Sequence, residues 1–143
     1  MKTGRCLAGL ALAALLASCS GGSQPAPGDV PAFDGIAEGE TITALGTEPF
    51  WSAKIAGTAM TYSTPDNIDG TEIEVSRHAG NGGLGFSGML NGEPLLMAVT
   101  PGECSDQMSD RTYPFTVTFN IGEAQLVGCA YTDQQNFIGE ENP

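Results

Sequence analysis

Residues 114–131 read PFTVTFNIGEAQLVGCAY, and apolar and polar side chains alternate along the first half of this stretch. That period of two is typical of a β-strand with one buried face. Gly122-Glu123 then favours a turn, and a second strand is predicted from Ala124 to Tyr131. The stretch therefore predicts an antiparallel hairpin, whose buried face carries Phe115, Val117, Phe119 and Ile121.

The same period continues outward from this hairpin, and no segment keeps a helical stripe for more than about ten residues. A second hairpin is predicted from Leu84 to Thr100, because the Asn91-Gly92 pair in its middle is the strongest short-range hairpin signal. Further strands are predicted over 41–45, over 51–55, over 60–62 after a Gly57-Thr58 turn, and around Ile73 and Val75.

About eight short strands joined by tight turns favour an all-β domain with an up-and-down antiparallel sheet that closes into a small barrel, because closure removes exposed strand edges. The interior of an eight-stranded barrel holds side chains or one small ligand. We expect four aromatic rings to point into it, those of Trp51, Phe86, Phe115 and Phe119. An open sandwich is the alternative architecture, since strand count does not separate the two.

The N-terminus has the organisation of a secretory signal. Lys2 and Arg5 precede an apolar run over 6–17 that is too short to span a membrane. The run ends in Leu16-Ala17-Ser18-Cys19, which resembles a bacterial lipobox and makes Cys19 the predicted lipidation site. Three acyl chains there would give a stable membrane anchor. Ordinary cleavage beside an accidental cysteine is the alternative.

We therefore predict three regions: a lipoprotein signal peptide over 1–18, a lipidated N-terminus with a flexible Gly- and Pro-rich linker over 19–36, and a barrel domain over 37–143. The residue after Cys19 is Ser20 rather than Asp. In a Gram-negative envelope this favours an outer-membrane lipoprotein that faces the periplasm.

The chain is strongly acidic, with 5 Lys and Arg against 17 Asp and Glu. After removal of the signal peptide only Lys54, Arg77 and Arg111 remain against all 17 acidic residues, a formal charge of −14. Nucleic acid is excluded as a partner, because phosphate binding needs clustered cations. The charge favours either solubility alone or the attraction of a cationic partner.

The four cysteines divide by position. Cys6 leaves with the signal peptide and Cys19 carries lipid, so Cys104 and Cys129 remain as one pair. In an oxidising compartment we expect a disulfide, which closes a loop of about 25 residues and contributes about 3 kcal/mol to stability. A two-cysteine metal site is the alternative, but no histidine or further cysteine lies nearby.

Two segments concentrate polar and aromatic side chains. In the first, Glu48-Pro49-Phe50-Trp51, neighbouring rings must point to opposite faces, so we place Trp51 inside and expect Phe50 to be exposed. In the second, residues 103–111, carboxylates and hydroxyls are dense enough for a calcium site, a recognition loop, or a short helical turn capped by serines. The candidate binding residues are Glu48, Phe50, Trp51, Asp106, Asp110 and Arg111.

The sequence offers few residues that could carry out catalysis. His78 is the only histidine, and the glycine cluster over 80–83 opens no helix, so it is not a phosphate-binding loop. Nothing in the sequence assembles a nucleophile, a base and an oxyanion site. We expect a protein that is not an enzyme and that needs no cofactor or metal.

Three segments together resemble a family of bacterial envelope lipoproteins that are sometimes found with META or HslJ-like domains. They are GTEPFW over 46–51, CSDQMSDRTYP over 104–114 and LVGCA over 126–130. The resemblance implies a small β domain, a disulfide between Cys104 and Cys129, and no established activity. A looser similarity, in architecture alone, is to lipid-anchored inhibitors of c-type lysozyme, whose Ser-rich inhibitory loop is not recognisable here.

These observations predict a lipid-anchored, non-enzymatic binding module of the envelope. Its partner is expected to be an envelope protein or peptidoglycan, contacted through the loop from Cys104 to Tyr113 together with Glu48 and Phe50. Inhibition of a cationic hydrolase such as c-type lysozyme is the alternative function. The sequence leaves open the oligomeric state and whether the barrel holds a small ligand.

Overall fold

The structure, a computed structural model, describes residues 31–140, which form a closed barrel of eight antiparallel strands in chain order. The strands are β1 (Ile42–Thr47), β2 (Phe50–Ala56), β3 (Ala59–Thr64), β4 (Asn67–Ala79), β5 (Leu84–Leu90), β6 (Glu93–Ser105), β7 (Thr112–Ile121) and β8 (Ala124–Thr132). Pairing of β8 with β1 closes the sheet. The predicted all-β up-and-down barrel is confirmed, and the open sandwich is wrong.

Both predicted hairpins form where the turn residues placed them. In the first, Phe119 pairs with Leu126 and the chain reverses at Gly122, whose φ is +57°. In the second, β5 and β6 are joined at Asn91-Gly92, where both residues have positive φ. Asn and Gly adopt this left-handed conformation at low cost, which is why the pair directs the chain into a tight turn. The described residues contain no helix that is long and apolar enough to cross a membrane.

The barrel interior is the hydrophobic core. Buried residues recur at every second position in β1, β2, β6 and β7. The four aromatic rings predicted to face inward are each at most 4% exposed. The ring of Phe119 lies at the centre of an aromatic cluster, with its centroid 5.3 Å from that of Trp51 and 5.5 Å from that of Tyr62. The inward orientation of Trp51, Phe86, Phe115 and Phe119 is therefore confirmed.

The segment before β1 packs against the end of the barrel, on the N-terminal side of the predicted boundary at residue 37. Ile36 is 2% exposed and belongs to the core, and Phe33 packs against it. The Phe33 amide donates to the Gly80 carbonyl at 2.7 Å, and Arg77 donates to the Ile36 carbonyl at 2.7 Å. Two apolar side chains inside the Gly- and Pro-rich region thus extend the folded domain toward the N-terminus.

Glu40 ties this segment to the end of β8. Its carboxylate accepts hydrogen bonds from the Ala37 amide, from the Thr132 hydroxyl and from the Gln135 amide group. The Thr132 bond, followed by the Ala37 bond, lowers the pKa of Glu40 below its ordinary value. The predicted signal peptide and Cys19 lie outside the described residues.

Candidate functional site

The far end of the β6–β7 hairpin folds over the outer face of the barrel. The pairing of β6 with β7 shifts its register between Pro101 and Cys104, which bends the two strands. The predicted disulfide then joins Cys104 to Cys129 on β8, and the two Cα atoms lie 5.5 Å apart. The hairpin end also reaches β1, where the Thr47 hydroxyl donates to the Asp106 carbonyl at 3.3 Å.

Asp106 organises the loop at this hairpin end. One carboxylate oxygen accepts from the amides of Met108 and Ser109 at 3.0 and 2.9 Å. The other accepts from the hydroxyls of Ser109 and Tyr113 at 2.8 and 3.1 Å. Partial burial alone would raise the pKa of Asp106, but these hydrogen bonds outweigh burial and the pKa is lowered. The carboxylate is thus a structural centre of the loop.

This bonding pattern differs from two of the possibilities that the sequence left open. No helical turn forms over 105–111, and Asp106 caps the loop amides more extensively than either serine does. Both oxygens of Asp106 are occupied by donors of the loop itself, which competes with any cation. Within residues 31–140 no group of three or more His, Cys, Asp or Glu side chains is placed to hold a metal ion.

An aromatic cluster supports the loop from below. Tyr113 is 1% exposed, and its ring centroid lies 6.1 Å from that of Tyr131 and 5.5 Å from that of Phe137. The guanidinium carbon of Arg111 lies 4.4 Å above the Phe137 ring, and the Arg111 Nε donates to the Glu140 carbonyl at 3.1 Å. Arg111 therefore holds the C-terminal segment against the hairpin end.

Two adjoining clefts lie between the folded-over hairpin and the strands beneath it. The larger, about 750 Å³, is bounded by Glu48 and Phe50 on one side and by the loop over 104–108 on the other, with outward side chains of β1, β7 and β8 as its floor. The smaller, about 480 Å³, continues past Phe50 to Trp51, to Pro65 in the β3–β4 turn and to Ile68 at the start of β4. Phe50 and Met108 line both clefts.

Large apolar side chains are exposed around these clefts. Phe50 is 53% exposed, as predicted, Met108 is 66% exposed, Val127 is 63% exposed and Ile68 is 81% exposed. Met108, Val127 and Ile68 were not among the binding residues predicted from the sequence. The outward position of Val127 follows from the alternation of β8, and Met108 lay within the quoted loop, but no local signal marked Ile68.

Trp51 lies beneath the smaller cleft and is 4% exposed. Its indole packs over Gly46, where a Cβ atom would come within 2.1 Å of Nε1. Among the residues that the structure describes, the Trp51 Nε1 is the buried side-chain polar atom without a hydrogen-bond partner. Its ring can form the base of a site, while its N–H is covered.

The structure brings most of the predicted binding residues together. Glu48, Phe50 and Asp106 border the larger cleft, and Trp51 and Arg111 border the smaller one. Asp110 does not belong to this set, because it is exposed at the end of the loop and lines neither cleft.

His78 lies apart from the clefts. It is exposed on β4, with Nε2 3.3 Å from the Ser87 hydroxyl.

Comparison of the chain with protein-family models, with curated proteins and with solved structures finds no match.

Proposed function

We propose that the chain is a lipid-anchored, non-enzymatic binding module of the bacterial envelope, which holds an envelope component in the two clefts described above. The observation that carries this proposal is the convergence of Phe50 and Met108, 58 positions apart in the chain, on the same clefts. Both side chains are more than half exposed. Exposed apolar side chains gathered around a concave surface are typical of an interaction site.

The way the loop is held supports a binding role. Six positions of loop between β6 and β7 are fixed by the disulfide at Cys104, by the Thr47 contact and by four hydrogen bonds to the Asp106 carboxylate. A loop that is ordered before binding loses less conformational entropy when a partner docks. The fold therefore presents Met108 on a preorganised surface.

The cleft lining favours binding over catalysis. The only histidine of the chain, His78, lines neither cleft, and the Asp106 carboxylate is engaged by loop donors. Hydrophobic contact is the interaction that the clefts offer in quantity.

Site-specific crosslinking in cells tests the proposal. A photoreactive amino acid in place of Met108 in the full chain is expected to give a discrete adduct with an envelope component. The matched control carries the same amino acid in place of Met89, which is 58% exposed on β5 and lines neither cleft. An adduct from position 108 alone, reduced by Phe50→Ser, supports the proposal. Equal adducts from both positions, or none from position 108, overturn it.

A further inference from the structure

We propose that the partner is a cationic protein that inserts an apolar side chain between Phe50 and Met108. This inference rests on the proposed function and specifies the chemistry of what the clefts hold. It combines two features of the surface, the distribution of its exposed apolar side chains and the sign of the charge around them.

The apolar side chains are concentrated at the clefts. Seven large hydrophobic side chains of the described residues are exposed. Four of them line the clefts: Phe50, Ile68, Met108 and Val127. The remaining three, Met89, Leu96 and Ile138, line neither cleft. Removing the first group from water requires an apolar group on the partner, because hydrophobic stabilisation scales with the apolar area buried.

The charge around the clefts is negative. Glu48 is exposed at the rim of the larger cleft. Asp66 and Asp69 are exposed and lie next in the chain to Pro65 and Ile68, which line the smaller one. Arg111 is the single basic residue among the lining residues of both clefts, and its guanidinium lies over Phe137. A cationic partner would therefore be attracted and oriented at this rim.

The other two basic side chains of the described residues, Arg77 and Lys54, do not reduce the negative charge around the clefts. Arg77 bonds to the Ile36 carbonyl and lies 3.9 Å from Glu38, near the opposite end of the barrel. Lys54 is on β2, paired with Thr43 and Thr61, and lines neither cleft. The rim therefore repels anionic groups, which disfavours phospholipid headgroups and the carboxylates of peptidoglycan stem peptides.

Defined peptides test the inference. The protein is the chain from Ser20 onward, which retains every described residue of the closed barrel and its disulfide. The probe is a short tryptophan-free peptide that alternates lysine and leucine. One control peptide has glutamate for every lysine, and the other has serine for every leucine. Binding is measured by calorimetry and by fluorescence of Trp51, the only tryptophan, which lies at the smaller cleft.

The lysine–leucine peptide is expected to bind at least about tenfold more tightly than either control, since each lacks one of the two required interactions. Its affinity should fall as salt rises from about 0.01 to about 0.15 M, which shortens the screening length from about 30 to about 8 Å. Met108→Ser should weaken binding about tenfold. The matched Met89→Ser should change it less than about twofold, and melting curves confirm that both variants fold.

The inference is overturned if the lysine–serine peptide binds as well as the lysine–leucine peptide, because diffuse charge then suffices. It is also overturned if Met89→Ser weakens binding as much as Met108→Ser, or if muropeptide fragments bind the clefts in place of the cationic peptide. The proposed function fails separately, through the crosslinking result at position 108. A discrete adduct there without peptide selectivity would retain the binding module and reject the cationic partner.

Discussion

Gly46→Ala is expected to destabilise the protein strongly, because Gly46 is the position against which Trp51 packs. A Cβ atom at residue 46 would lie 2.1 Å from the Trp51 Nε1 and 2.7 Å from the Val127 carbonyl oxygen. Carbon atoms in proteins approach such groups to about 3.5 Å. The indole would have to move by more than 1 Å toward Phe119, whose ring centroid lies 5.3 Å away, in a core packed like an organic crystal.

Overpacking of this kind costs about 1–3 kcal/mol, and more when backbone blocks the relaxation. Because the Val127 oxygen belongs to the backbone of β8, we expect a loss of about 3 kcal/mol in the free energy of unfolding. Urea denaturation followed by far-ultraviolet circular dichroism measures it. Gly39→Ala is the control, since a Cβ there meets nothing within 4 Å.

A second variant identifies the cause of the loss. In a Trp51→Phe background the smaller ring leaves room above residue 46, so Gly46→Ala should cost less there than in the parent protein. The difference between the two costs is the coupling energy of the pair, expected at about 1–2 kcal/mol. A loss below about 1 kcal/mol for Gly46→Ala alone, or the same loss in both backgrounds, would refute the packing argument.

Two further predictions concern stability. Replacing Cys104 and Cys129 by alanine should lower the free energy of unfolding by about 3 kcal/mol, because the bond closes a loop with a sequence separation of 25. Urea denaturation measures the loss, and a loss below about 1 kcal/mol would contradict the prediction. The lowered pKa values of Glu40 and Asp106 predict stability that is complete above their ordinary values of 4.5 and 3.8 and is lost as the pH falls through the lower folded values. Glu40→Gln and Asp106→Asn should each flatten the fall in melting temperature between about pH 5 and about pH 3, and an unchanged slope in both variants would show that other groups dominate.

The strands were predictable because their signals are local. Alternation at Phe115, Val117 and Phe119, and the turn chemistry of Asn91-Gly92, depend only on neighbouring residues, and both hairpins form as expected. The opposite orientation of Phe50 and Trp51 follows from the same two-residue period. The disulfide partners could be inferred because the predicted signal peptide and lipidation site account for the other two cysteines of the sequence.

The packing of the residues just before the predicted domain boundary could not be predicted from the sequence. Residues 33–36 lie in a segment whose composition is typical of a linker, and two apolar side chains there show no period. Only the closed barrel provides the end surface that buries Ile36, together with Gly80 and Arg77, which bond to the Phe33 amide and to the Ile36 carbonyl. The burial of a short irregular segment depends on contacts with residues that are distant in sequence, so the sequence of the segment alone does not predict it.

The candidate site was likewise predictable only in part. Glu48, Phe50 and Asp106 were selected from two separate stretches of sequence, and the turn and loop character of those stretches was visible in their composition. The clefts themselves arise because β6 and β7 bend at Pro101 and fold over β8 and β1. Composition and alternation therefore determine the strands, the turns and the exposed aromatic ring, since these depend on residues adjacent in the chain. The bend, the disulfide span and the barrel register decide that Met108 lines the same clefts as Phe50 and that Asp110 lines neither. Those relations join residues that are distant in sequence, so they are set only when the sheet closes.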